Sequence, residues 1–142
     1  MGTKKNTVLR SIVTSDETFI RKCLKESDTN FLSQKFIDKL SNCKEWIYGV
    51  LRSTTEEVFI IYHREEKELV PIGVLSMHSI DFDFETAEMS MVIMRKYCSA
   101  GHGRRSAKQL SAYALQIMQL QEMTIVIHPD NTAALRGMEK RD

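Results

Sequence analysis

Long apolar runs and net charge are both scarce in this sequence, and each scarcity excludes a class of protein. No uninterrupted apolar stretch approaches the ~20 residues that a membrane-spanning helix needs. The formal net charge is only +1, so neither nucleic acid nor an anionic membrane is an expected partner. The polar residues Met1 to Thr7 have no apolar segment behind them, which is unlike a secretory signal.

Cysteine and histidine are also too few, and too scattered, for a structural framework. Three cysteines, Cys23, Cys43 and Cys98, are odd in number and widely spaced. This favours reduced thiols in a cytoplasmic protein over a disulfide framework. The four histidines do not have the spacing of metal ligands, so no metal site is expected. With 142 residues, of which 42% are hydrophobic, a single domain over 1–142 with its own core is expected.

Hydrophobic periodicity predicts an α/β fold with a mixed sheet. Apolar steps of three and four residues indicate helices, and β-branched or aromatic runs indicate strands. The predicted order is a strand, two helices, a three-stranded antiparallel meander, a helix, a strand and a last helix. Predicted strands cover 7–13, 58–62, 71–78, 86–94 and 123–128, and predicted helices cover 14–25, 33–52, 103–120 and 132–140. Asn42 and Gly49 are candidate interruptions of the helix 33–52. Thr14 and Glu17 have the spacing of a capping box at the first helix.

The segment 99–105, Ser-Ala-Gly-His-Gly-Arg-Arg, is a glycine-flanked turn between a strand and a helix. Unpaired N–H groups and the helix dipole make such a turn a place to hold phosphate. The strands 86–94 and 123–128 flank the helix as a βαβ crossover and should therefore be parallel neighbours. The turn then lies at the carboxyl end of a strand, where open α/β sheets bind ligands.

Four segments together resemble the GNAT superfamily of N-acetyltransferases. The branch nearest in sequence contains ribosomal-protein, polyamine and amino-sugar acetyltransferases. The matching segments are 72–76 (Ile-Gly-Val-Leu-Ser), 87–90 (Ala-Glu-Met-Ser), 101–103 (Gly-His-Gly) and 131–136 (Asn-Thr-Ala-Ala-Leu-Arg), with Glu139-Lys140 after the last. Their order and spacing agree over residues 8–141. The resemblance implies an acyl-CoA N-acyltransferase fold and transfer of acetyl from acetyl-CoA to a primary amine of a small molecule or protein.

The resemblance also implies where acetyl-CoA, the cosubstrate, binds. The glycine turn would hold its pyrophosphate, the backbone of the preceding strand would pair with the pantetheine arm, and the asparagine opening the last helix would lie near the thiol. The expected cofactor-binding residues are Val92, Ile93, Met94, Gly101, His102, Gly103, Arg104, Arg105, Ser106 and Asn131.

Acetyl transfer needs an unprotonated amine beside the thioester and a donor for the developing oxyanion. Glu88, on the strand beside the cofactor, is the candidate catalytic base. A backbone N–H within 91–93 is the candidate oxyanion donor. The nearby carboxylates Asp81, Asp83 and Glu85 either bind a cationic acceptor or form a solvated acidic turn.

Three departures from the family pattern support an alternative, an acyl-CoA-binding module of the same fold without turnover. Cys98 stands where the family has arginine or glutamine. Met138 stands where many members have a tyrosine that serves as the general acid and protonates the leaving thiolate. The family's last two strands are expected to be missing, so the edge of strand 123–128 would be open. An open apolar edge predicts self-association, most simply as a homodimer. A dinucleotide-binding unit is disfavoured because Ser106 replaces its third glycine.

Overall fold

A computed structural model describes residues 6–30 and 32–125 of the chain. It contains a five-stranded mixed sheet with helices on both faces, which confirms the predicted fold class. The elements are β1 (Thr7–Ser11), α1 (Glu17–Lys25), α2 (Gln34–Ser41), α3 (Cys43–Arg52), β2 (Glu57–Glu65), β3 (Glu68–Asp81), β4 (Thr86–Ile93), α4 (His102–Gln116) and β5 (Glu122–Ile125). Short 3-10 turns cover Thr14–Asp16 and Arg95–Tyr97.

The strands of the sheet lie in the order in which they occur in the chain, β1-β2-β3-β4-β5. The first four pair antiparallel, as the predicted meander requires. β5 pairs in parallel with β4, residues 122–125 against 86–89. The βαβ crossover predicted from the sequence is therefore confirmed, and α4 is its connecting helix.

The sheet separates two hydrophobic clusters, because successive side chains of a strand point to opposite faces. In β4, Ala87 and Met89 are buried in the cluster under α4. Val92 is buried in the other cluster, with residues of α1, α2 and α3. Trp46 of α3 anchors this second cluster and packs edge-on against Phe36, with ring centroids 6.2 Å apart.

The helix predicted over 33–52 is two helices, α2 and α3, separated at Asn42. The Asn42 backbone leaves the helical region, with φ −107° and ψ 45°. The Asn42 N–H and its side-chain amide both donate to the Asp38 carbonyl, at 3.1 and 3.0 Å, so α2 closes with two bonds at Asn42. Gly49 lies inside α3 and causes no interruption.

The start of the first predicted helix and the end of the helix predicted over 103–120 also differ from the prediction. The Thr14–Glu17 capping box does not form; instead the Asp16 carboxylate accepts the Val13 N–H at 2.8 Å. α4 ends at Gln116, four residues before its predicted end. Consequently Ile117, which continues the apolar spacing of Leu110 and Ala114 in the sequence, is 69% exposed, whereas Leu120 is buried after the chain has turned.

The predictions made for the residues after 125 lie outside the described part of the chain. This concerns the last part of the strand 123–128, the helix 132–140 and the site residue Asn131. Among residues 6–30 and 32–125, no helix combines the length and apolarity required to cross a bilayer.

Candidate active site

The glycine turn forms the start of α4, as the sequence predicts. Gly101 caps the helix with φ 85°, a left-handed conformation that residues with a Cβ rarely adopt. The first intrahelical bond runs from the Arg105 N–H to the Gly101 carbonyl at 3.1 Å. The amides of His102 and Gly103 come before this bond, at the positive end of the helix dipole. The arrangement suits an anion.

The turn packs directly on the end of β4. A Cβ placed on Gly103 would lie 3.6 Å from both the Met91 sulfur and the Ile93 Cδ1. Val92 and Met94 are buried, and the Met94 N–H donates to the Ile72 carbonyl at 2.8 Å. The structure thus brings the expected pantetheine strand and the expected pyrophosphate turn together.

Three expected cofactor residues direct their side chains inward rather than to solvent. His102 is 3% exposed, and its Nδ1 lies 2.8 Å from the Thr7 hydroxyl. Ser106 is fully buried, and no residue in the described ranges is a hydrogen-bond partner of its Oγ. Arg105 donates from Nε to the Thr7 hydroxyl at 2.9 Å. The side chains of His102 and Ser106 are therefore not at the surface, and at these two residues a ligand would meet backbone groups instead. Arg104 is partly exposed on the same turn.

Glu88 lies partly buried in the middle of the sheet, on β4. Its Cα pairs with that of His78 on β3 and that of Thr124 on β5. Glu88 lies four residues before Val92 on the same strand, so the two side chains point to the same face of the sheet, the one covered by α1, α2 and α3. The candidate base and the glycine turn are consequently on opposite faces of one strand.

His78 lies beside Glu88 on this face of the sheet, although its place near the end of a predicted strand favoured a surface histidine. Its Nε2 lies 2.9 Å from the Ser90 hydroxyl. Burial lowers the pKa of His78, and the nearby positive charge of Lys39 lowers it further, while Glu88 partly opposes them. These effects favour the neutral form of the His78 imidazole. The alternation of strand residues, with His78 opposite Glu88, is the signal that identifies it.

Glu56 completes a polar patch, defined here as Glu56, Ser76, His78, Glu88 and Ser90. Its Oε2 accepts hydrogen bonds from Lys39 Nζ and Trp46 Nε1, each at 3.1 Å, and lies 3.4 Å from Ser76 Oγ. The Glu56 side chain is 17% exposed. This carboxylate precedes β2, and in the sequence it reads as part of a turn.

The carboxylates of the β3–β4 turn have a local role. Asp81 Oδ1 accepts the N–H groups of Asp83 and Phe84, both at 3.0 Å. Of the two interpretations left open by the sequence, these bonds favour a self-capped acidic turn. In the described part of the chain, no group of three His, Cys, Asp or Glu side chains is arranged to hold a metal ion.

Comparison with known proteins agrees with this geometry. The family described as Acetyltransferase (GNAT) domain matches residues 6–141. No curated protein matches the sequence significantly. A chimera of spermidine N-acetyltransferase SpeG from Vibrio cholerae and hSSAT is similar in structure, with a TM-score of 0.79 and 18% identity, covering 95% of this chain and 78% of that chain. The dodecameric structure of spermidine N-acetyltransferase from Vibrio cholerae gives 0.74 and 19%, covering 94% and 77%.

The similar structures confirm the acyl-CoA N-acyltransferase fold expected from the sequence. The family match extends over nearly the whole chain, including the glycine turn and Glu88. The chain therefore belongs to the GNAT acetyltransferase family, and it is an N-acetyltransferase.

Proposed function

We propose that the protein transfers the acetyl group of acetyl-CoA to a primary amine by direct attack in a ternary complex. The observation that carries the proposal is the relation between the glycine turn and Glu88. The turn packs against Met91 and Ile93, and Glu88 lies on the same strand, with its side chain on the other face. From 88 to 93 the strand rises roughly 16 Å, a length that an extended pantetheine arm can follow.

The proposed cofactor contacts are mainly made by the backbone. The pantetheine arm would pair with Val92, Ile93 and Met94, and the pyrophosphate would bind at Gly101 and at the amides of His102 and Gly103. Arg104 would add positive charge, whereas the Ser106 hydroxyl is buried and would contribute no direct contact. Asn131 lies outside the described residues and stays a prediction from the sequence.

Glu88 is the proposed base of the reaction. The acceptor arrives as an ammonium ion, and Glu88 removes one proton, directly or through water, with neutral His78 beside it. The amine nitrogen then attacks the thioester carbon, and the carbon–sulfur bond breaks as the tetrahedral intermediate collapses. The excess proton of the nitrogen passes, directly or through water, to the leaving thiolate, which gives the neutral amide and the CoA thiol, and Glu88 releases its proton to solvent. A backbone N–H within 91–93 would donate to the oxyanion.

The polar patch favours a cationic amine as acceptor. Glu88 offers a carboxylate on the α1–α3 face, and one oxygen of Glu56 is already bonded to Lys39 and Trp46. The similar structures include spermidine N-acetyltransferases. A small polyamine is therefore the first acceptor to test, with a peptide amino terminus as the comparison.

We also propose that the chain self-associates. We further propose that it works in a reducing compartment such as the cytoplasm. One similar structure is described as dodecameric, and β5, in the range described, pairs only with β4. Cys23 and Cys43 are buried and all three cysteines are free, as expected where thiols stay reduced.

A thermal-shift series with acetyl-CoA, CoA and NAD tests the proposed cofactor. A ligand bound only by the folded state raises Tm, so acetyl-CoA and CoA should raise it and NAD should not. Gly103→Val should abolish the shift, because its branched side chain would press on Met91 and Ile93 and displace the turn from the end of β4. Gly103→Ala is the control, since its Cβ would make ordinary contacts at 3.6 Å.

The absence of any shift at millimolar CoA would overturn the assignment of the cofactor. An acetylation assay with spermidine then separates catalysis from binding. A Tm shift without turnover on spermidine or on a peptide amine would favour the acyl-CoA-binding module.

A further inference from the structure

Thr7, in β1, joins β1 to the start of α4, although the two segments are far apart in the sequence. Thr7 is 3% exposed. Side chains from one face of α4 converge on it: His102 and Arg105 reach its hydroxyl, and Gln109 Nε2 donates to its carbonyl at 2.9 Å. Since residues three and four apart share a helix face, one strand residue can hold all three.

The hydrogen bonds at the Thr7 hydroxyl have a definite direction. Arg105 Nε can only donate, so the Thr7 oxygen accepts from it at 2.9 Å. The single hydroxyl proton is then available for His102 Nδ1, 2.8 Å away. A second donor, Arg105 Nη2, lies 3.5 Å from the same nitrogen. His102 is thus held as a neutral imidazole that accepts at Nδ1, as expected from its lowered pKa.

The Arg105 side chain also holds the turn that precedes α4. Its Nη2 donates to the Ala100 carbonyl at 3.0 Å. Its Nη1 would lie 2.6 Å from a Cβ on Gly101, so the guanidinium packs against that glycine. Ser99 and Gly101 both have positive φ, 68° and 85°. Glycine adopts this conformation at no cost, but a left-handed serine such as Ser99 persists only where its surroundings hold it.

We propose that Thr7 is a positioning residue for cofactor binding. It holds Arg105 inward, so that Arg105 fixes the turn 99–103 instead of contacting the phosphates of CoA itself. The inference rests on the proposed function, because the ligand placed at the turn is acetyl-CoA.

Thr7→Val removes the hydroxyl at nearly constant volume, and Thr7→Ser keeps it. The first readout is amide hydrogen exchange across 99–103 without ligand. We expect exchange in T7V to be ~10-fold faster and exchange in T7S to resemble the wild type, since a bond to a charged group is lost in T7V alone. The second readout is calorimetric CoA binding. T7V should raise Kd ~10-fold, and in acetylation assays it should raise KM for acetyl-CoA more than it lowers kcat.

Two controls separate positioning from a general loss of stability. Ile20→Val disturbs the cluster on the other face of the sheet and should leave exchange in the turn and CoA affinity unchanged. Arg105→Gln removes the same link from the helix side, and it serves as the test variant if T7V does not fold. The double variant should lose no more affinity than the more affected single variant, because one link is broken in each.

Three results obtained with the variants would overturn the proposal. Unchanged exchange and unchanged CoA affinity in T7V would show that the turn does not depend on Thr7. Additive losses in the double variant would show that Arg105 contacts CoA itself. Equal loss of CoA affinity in Ile20→Val would show a general effect of stability. Failure of the wild type to bind CoA would overturn the proposed function as well, and the exchange data would still show whether Thr7 orders the turn.

Discussion

At the scale of single residues, the assignment of Glu88 as base leads to the first prediction. Glu88→Gln should lower kcat by about 10²-fold, within the range typical of a general base, because the amide cannot accept the proton of the ammonium. Affinity for CoA should stay within about twofold of the wild type, since Glu88 and the glycine turn lie on opposite faces of β4. Steady-state kinetics and calorimetry on the same preparations measure both. Asp83→Asn, in the exposed turn, is the matched control. Equal kcat in the two variants would remove Glu88 from the reaction.

His102 leads to a second residue-scale prediction, on the pH dependence of stability. Burial, Arg105 and then His63 lower the pKa of His102 to about 4, from an ordinary value of 6.5. The His63 ring lies 4.9 Å from the His102 ring. Because the folded state resists protonation, the unfolded state binds the proton first as the pH falls. The stability contributed by neutral His102 is therefore complete above pH 6.5 and is lost between pH 6.5 and about 4.

Urea unfolding at pH 7.5, 6, 5 and 4.5 measures this dependence, at pH values chosen about the transition. His102→Asn retains an acceptor near Thr7 and does not titrate, so its free energy of unfolding should fall less steeply below pH 6.5. Identical slopes for wild type and variant would contradict the role of His102.

At the scale of elements, the contact between β3 and β4 depends on Gly73. A Cβ at Gly73 would lie 2.5 Å from the Val92 carbonyl oxygen, so alanine must push the two backbones apart. Gly73→Ala should therefore lower the free energy of unfolding by about 1–3 kcal/mol. It should also weaken CoA binding, because β4 shifts where the pantetheine arm is proposed to lie. Thermal unfolding with and without CoA measures both effects.

Gly49 provides the opposite case. Gly49 lies inside α3, and apart from its chain neighbours and the backbone of the helix itself, a Cβ there would meet no atom of the described residues within 4 Å. Gly49→Ala should stabilise the protein by roughly 0.5–1 kcal/mol with no effect on CoA. Stabilisation by Gly73→Ala, or an equal effect of the two substitutions, would show that β3 and β4 have room to separate.

The same scale shows what could be predicted from the sequence. β-Branched and aromatic runs between turn residues located the meander, and β4 was predicted to within one residue. Asn42 was a candidate interruption from its residue type, whereas apolar periodicity alone continues through it; the structure shows the break in its backbone angles. The end of α4 is decided by a turn that buries Leu120 instead of Ile117.

At the scale of the whole molecule, the site combines segments that the sequence does not connect. The turn 99–103 and Glu88 were predicted because each lies within one recognisable motif. The polar patch was not predicted, because Glu56 is hydrogen-bonded to Trp46 and Lys39, which lie ten and seventeen positions earlier in the chain on two different helices. Thr7 was missed for the same reason, since its partners begin 95 residues later. Contacts of this kind depend on how the elements pack and leave no local pattern.

The environment of Trp46 has a spectroscopic consequence. It is the single tryptophan of the chain, and its indole N–H donates to Glu56 within the polar patch. The intrinsic fluorescence of the protein therefore reports on the α1–α3 face, away from the turn before α4. A cationic amine that competes for Glu56 would change the polarity around the indole, and so its emission maximum. Titration with amines would then give acceptor affinities directly, in the absence of CoA and without turnover.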